Sequence, residues 1–131
     1  MATKTILYTT SGAHTLPSDL DPAVAATIDV IGGGGGGRSP AANGAGGGGG
    51  GGGFSRTSLL LTPGGTVWTN IGAGGTGGIG GGSSGADGGA TWFNKTSNAS
   101  PATSADGARA QGGSGSKRQR GCSSRDRDNH E

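Results

Sequence analysis

Few residues in this 131-residue chain have the types and spacing that catalysis requires. The two histidines, His14 and His130, lie at opposite ends, and Asp19, Asp21, Asp29, Asp87 and Asp106 show no paired-carboxylate spacing. Asp19 and Asp21 fall between Pro17 and Pro22, where aspartate commonly bonds its own backbone and forms turns. No nucleophile elbow surrounds any serine. A single cysteine, Cys122, rules out an intramolecular disulfide and a cysteine-based zinc cage. The stretch GAGGTGG, from Gly72, matches G-x-G-x-x-G, but no helical pattern follows it, and a chain with 34 glycines produces such a match by chance. The phosphate-binding pattern G-x-x-x-x-G-K-[ST] does not occur. We therefore expect a protein that is not an enzyme, with no cofactor and no metal.

What is left points to binding. Arg38, Asn43, Ser83, Ser84 and Asp87 stand out from a glycine background and are the candidate surface contacts, with Ser39 and Ile79 beside them. The sequons at Asn94 and Asn98 read as turn residues, because MATKTILYTT lacks the basic and apolar regions of a secretory signal. No window approaches the length of a membrane span, so membrane insertion is not expected. Trp68, Trp92 and Phe93 could stack on sugars, but in a chain this poor in apolar residues they are expected to fill the core.

Composition limits what can hold such residues in place. Leu, Ile, Val and Phe together number 16, whereas Gly and Pro number 39, a balance found in low-complexity chains. Residues 1–115 carry five basic and five acidic side chains, so the net charge of +2 comes from residues 116–131, with five and three. This division sets the expected organisation: a glycine-rich domain over 1–115 and a charged, flexible tail over 116–131. Lys117, Arg118 and Arg120 form a basic cluster there that could meet phosphates. With so small a core, stability must draw on backbone hydrogen bonding or on association with other chains.

The elements available are strands. Thr3–Thr10 is rich in β-branched residues, and Ala23–Ile31 alternates, with Val24, Ala26, Ile28 and Val30 on one side. Phe54–Thr62 and Thr66–Ile71 flank Pro63-Gly64-Gly65, which predicts an antiparallel hairpin. Ala90–Asn94 and Gly107–Gln111 are shorter candidates. No segment has a helical apolar period, so the expected fold class is all-β: a small β-sandwich-like domain with long glycine-rich loops.

The glycines respect those strand borders. Twenty-eight of the 34 lie between Gly32 and Gly89, in bursts between single strands that could not fold alone. Glycine costs the most conformational entropy to order and buries no side chain. Its benefit is exposed backbone: extended glycine strands of polyproline II type can lie side by side and bond laterally, satisfying one another's amides and carbonyls.

The order of these pieces resembles the glycine-rich domain of tailed-phage tail-fibre and minor tail proteins. YTTSGAHTLPSDLDPAVAATIDVIGGGGGG is similar to that family's opening, GGGGFSRTSLLLTPGGTVWTNIGAGGTGG to its hairpin with a T-P-G turn, and GADGGATWFN and GARAQGGSG to its closing segments. The likeness covers about residues 4 to 115; from Ser116 the chain departs from the pattern. It implies a compact β-sandwich-like domain on the virion, at the phage tail rather than the capsid. Implied partners are other virion proteins, a host-surface receptor or glycan, and further copies of the chain, three in a fibre. The expected function is structural, with the glycine-rich loops displayed for host adsorption. The alternatives are a capsid decoration or head-fibre protein, and a glycine-rich nucleic-acid binder acting through the basic tail. Against the latter, the aromatics are not interleaved with RGG-type repeats and residues 1–115 carry no net charge.

Overall fold

The computed structural model describes residues 3–40 and 46–116. Within them the chain is all-β and forms six strands: β1 Gly12–Thr15, β2 Ala26–Ile31, β3 Phe54–Leu59, β4 Thr66–Asn70, β5 Thr91–Asn94 and β6 Gly107–Ala110. One antiparallel sheet has the order β1-β4-β5-β6, and a second pairs β2 with β3. The small sheet packs across the β5–β6 half of the large one.

Alternation places the core between the two sheets. From β2 and β3 come Val30 and Leu59, with Ala26 and Ile28 packed behind them. From the large sheet come Val67, Phe93, Ala108 and Ala110, and the connecting segments add Leu16 and Leu61. Val67 is only 1% exposed. Fully burying each large side chain is worth roughly 1.5–3 kcal/mol, and there are few of them. Trp68 and Trp92 do not fill this core, contrary to expectation: they are half-buried, and only Phe93 of the three aromatics is buried. The register explains it. Thr69 and Phe93 are partners on the core side, which turns Trp68 and Trp92 to the opposite face.

Two strand expectations are also corrected. Thr3–Thr10 forms no ladder; the first strand is Gly12–Thr15, which pairs with β4 from Gly12↔Thr69 to Thr15↔Thr66. β-propensity reports fitness for a pleated surface, whereas a ladder also needs a partner at the right distance. Gly12 has a φ of +124°, a value that suits glycine, and the chain enters the ladder there. Residues 3–9 instead lie over the sheet, where Tyr8 stacks on His14 with ring centroids 4.3 Å apart. Burial raises the Tyr8 phenol above its ordinary pKa.

The second correction concerns Phe54–Thr62 and Thr66–Ile71, which do not make a hairpin. The turn itself exists: Gly65 donates to Thr62 (3.0 Å), and Gly64 has a φ of +69°. It joins different sheets, however, since β3 pairs with β2 and β4 pairs with β1 and β5. Leu59 and Leu61 are both buried as the chain crosses between layers, and the turn bonds to the β1 exit through Leu16 to Gly65 (2.7 Å) and Gly64 to Pro17 (3.1 Å). Ala23–Ile31 is confirmed from Ala26, Ala90–Asn94 from Thr91, and Gly107–Gln111 as far as Ala110.

Candidate binding surface: a polyglycine bundle

Five glycine-rich segments leave or enter the strand ends and lie side by side: 32–39, 46–53, 72–78, 83–89 and 112–116. Their hydrogen bonds repeat every three residues. Gly32, Gly35 and Arg38 donate to Gly53, Gly50 and Gly47 (2.9, 2.8 and 2.8 Å). The next residues along, Gly33, Gly36 and Ser39, donate to Gly89, Ala86 and Ser83 (3.0, 2.8 and 3.0 Å). Falling partner numbers make both pairings antiparallel. The carbonyls of Gly34 and Gly37 accept from Gly75 and Gly78 (2.7 and 2.8 Å), and those of Gly33 and Gly36 from Gly113 and Ser116 (2.7 and 2.9 Å), with rising numbers and parallel chains.

A period of three is that of the polyproline II helix, which points its backbone groups in three directions instead of a sheet's two. Segment 32–39 accordingly bonds to all four of the others. Segment 46–53 also bonds to 112–116, 83–89 also bonds to 72–78, and 83–89 to 112–116. That connectivity describes two layers, with 46–53, 32–39 and 72–78 above and 112–116 and 83–89 below.

Side-chain absence is required inside this bundle. A β-carbon on Gly33, Gly36, Gly75 or Gly88 would overlap a neighbouring backbone carbonyl, which cannot swing aside. Glycine is not required everywhere on the outside. Gly48 and Gly51 have nothing within 4 Å of a β-carbon, and Gly34, Gly74 and Gly77 have only ordinary contacts at 3.7 to 3.8 Å. The upper layer is thus a smooth face of exposed backbone, while Ala73, Thr76 and Ile79, three residues apart, place side chains along its edge.

The bundle's far end is a built turn. Gly80, Gly81 and Gly82 all have φ between +63° and +77°, a run that only glycine sustains. Ser39, buried at 9% exposure, clamps it: its hydroxyl donates to the Gly80 carbonyl (3.0 Å) and accepts from the Ser83 amide (2.9 Å). Arg38 Nε donates to the Gly82 carbonyl (3.0 Å), and the Ser83 hydroxyl donates to Gly80 (2.7 Å). Ile79 stands at this tip with 89% of its surface exposed.

The sequence-derived contact residues are therefore brought together only in part. Arg38 and Ser83 meet at the tip, where each also has a structural task. Ser84 and Asp87 lie exposed along segment 83–89, where the Asp87 carboxylate accepts from the Gly115 amide (2.8 Å). Asn43 lies outside the described residues, as do Lys117, Arg118, Arg120 and Cys122. Sequence reasoning named Ser39 as a neighbour of these positions and missed its role as the clamp; its spacing from Ser83 only matters once the two segments are adjacent.

Comparison with curated proteins and with solved structures finds no match. Comparison with protein families does: residues 9–130 match the family described as a glycine-rich domain. The match takes in all six strands and all five bundle segments, and the chain belongs to that glycine-rich domain family.

Proposed function

We propose that this chain is a non-enzymatic virion component of the tailed-phage tail-fibre or minor-tail type, which presents its glycine bundle to a host surface. The two sheets act as the base, and the bundle acts as an arm. The observation that carries this reading is the clamped tip: Ser39 ties segment 32–39 to the Ile79–Ser83 turn at the end remote from the strands, with Ile79 exposed. A loop already ordered by its own backbone bonds loses little entropy on contact, so it can bind through few side chains. Many copies on one particle would multiply a weak contact.

Gold-labelled antibody to this chain on intact particles, viewed by negative-stain electron microscopy, tests the reading. Label at the tail tip or fibres supports adsorption. Label over the capsid replaces it with decoration, and absence of label from every particle overturns it.

A further inference from the structure

The large sheet is only half covered. β2 and β3 lie over β5 and β6, residues 6–8 lie toward β1, and between them runs an apolar cleft of about 240 Å³. Ile6, Leu7 and Tyr8 form one wall, Thr27 to Ile31 of β2 the other, and Thr69, Thr91 and Phe93 are among the residues beneath. Two sets of backbone groups bordering this cleft lack partners among the described residues. β2 is paired on its β3 side alone. Residues 3–9 make no backbone hydrogen bond among the described residues, although their composition is that of a strand.

Among the described residues this edge pairs with no other strand and carries neither lysine nor proline. An open strand normally carries lysine, proline or a covering loop. β2 reads ATIDVI, and its one charge, Asp29, is held by Arg56 of β3 through a two-pronged pair at 2.6 and 2.9 Å. The other side of that sheet differs: Thr57 bonds to the Ser104 carbonyl and Lys95 to the Leu60 carbonyl, so a loop and a lysine lie near β3. Around the cleft, Leu7 is 83% exposed, Ile31 65% and Ile6 44%, and Phe54, opposite Ile31 in the ladder, is 59% exposed.

We infer that copies of this chain associate here: Thr3–Leu7 of one copy lies as an added strand against the open edge of β2 in another. The strand-like segment without a ladder and the strand edge without a neighbour are complementary, and both belong to the same chain. Main-chain bonds supply the pairing, and burial of Leu7 and Ile31 supplies the apolar term. Reciprocal exchange closes a pair about a twofold axis, and head-to-tail exchange closes a ring of three.

The contact does not depend on the virion reading. Loss of association with intact particle labelling would sink this inference alone, and the converse result would sink only the other.

The test is sedimentation of the full chain up to about 100 µM, a range covering the affinities of standard interfaces. Two variants accompany it, Ile31→Asp on the edge and Thr5→Pro, which removes an amide from a segment outside every ladder. The expected result is a dimer or trimer whose affinity falls at least about tenfold in both variants, with the melting temperature of dilute Thr5→Pro unchanged. A monomer at all concentrations, or an oligomer indifferent to Thr5→Pro, overturns the inference.

Discussion

Gly36 donates its amide to the Ala86 carbonyl at 2.8 Å, and a β-carbon added to it would overlap the carbonyl of Thr76. No rotamer relieves a clash with backbone, so Gly36→Ala must push two segments apart. The expected loss is about 1–3 kcal/mol, the scale of overpacking, read from the denaturant midpoint. Gly49→Val, whose β-carbon would overlap the Gly35 carbonyl, is expected to do the same. Unchanged midpoints in both would show that the bundle is not packed in solution.

Gly51→Ala makes the opposite case. Position 51 has nothing within 4 Å of a β-carbon and is not among the glycines with positive φ. Alanine there restricts the unfolded chain without straining the folded one, so stability should hold or rise by about 0.4–1 kcal/mol. A loss as large as that of Gly36→Ala would contradict the assigned outward phase.

Ser39→Ala removes a hydroxyl that donates to Gly80 and accepts from Ser83. Both groups keep a second bond, because the Ser83 hydroxyl and amide also donate to the Gly80 carbonyl (2.7 and 3.1 Å), so the cost is that of the lost hydrogen bonds, about 0.5–1.5 kcal/mol. Amide exchange at Gly80–Ser83 should accelerate while exchange in β4 and β5 does not. Uniform acceleration would mean that the clamp stabilises the whole domain instead of the tip.

Asp29 and Arg56 give a pH dependence with a definite sign. The Arg56 hydrogen bonds hold the Asp29 carboxyl below its ordinary pKa. A group whose folded pKa is depressed contributes stability above its unfolded value, near 4, and loses it as pH falls through the folded pKa. Asp29→Asn should therefore be less stable than the parent at pH 7 and equal to it once the parent's carboxyl is protonated. Both side chains are exposed, so the difference is small. A gap that persists in strong acid would assign the effect to packing.

Ile79→Asp changes the most exposed large apolar side chain among the described residues, and one outside the core. Its melting temperature should match the parent. If the tip touches the host, adsorption of particles carrying it falls about tenfold or more, as for a central contact residue. Full adsorption would move the contact elsewhere on the bundle.

The strand errors have a common cause. TKTILYTT and FSRTSLLLT have the composition of strands, and composition says nothing about where a partner lies. The first joins no ladder among the described residues; the second finds β2 instead of the segment beyond its own turn. The site residues follow the same rule. Arg38 and Ser83 were recognisable among the few side chains in a glycine background, but the clamp through Ser39 was not, because Ser39 and its turn partner Ser83 are 44 positions apart in chain order.

Local chemistry accounts for what could be read directly: β-branched runs, apolar alternation and glycine bursts are properties of neighbouring residues, and they specify an all-β chain with backbone-rich connections. The bundle's order is not local. A glycine run has no side chain to distinguish one neighbouring run from another, so its sequence holds almost no information about register or direction. Those are imposed from the ends. β2 and β3 anchor 32–39 beside 46–53, β4 and β5 anchor 72–78 beside 83–89, and β6 delivers 112–116 beneath them. Once the sheets have placed the five starting points, the three-residue backbone period carries the pairing outward to the tip.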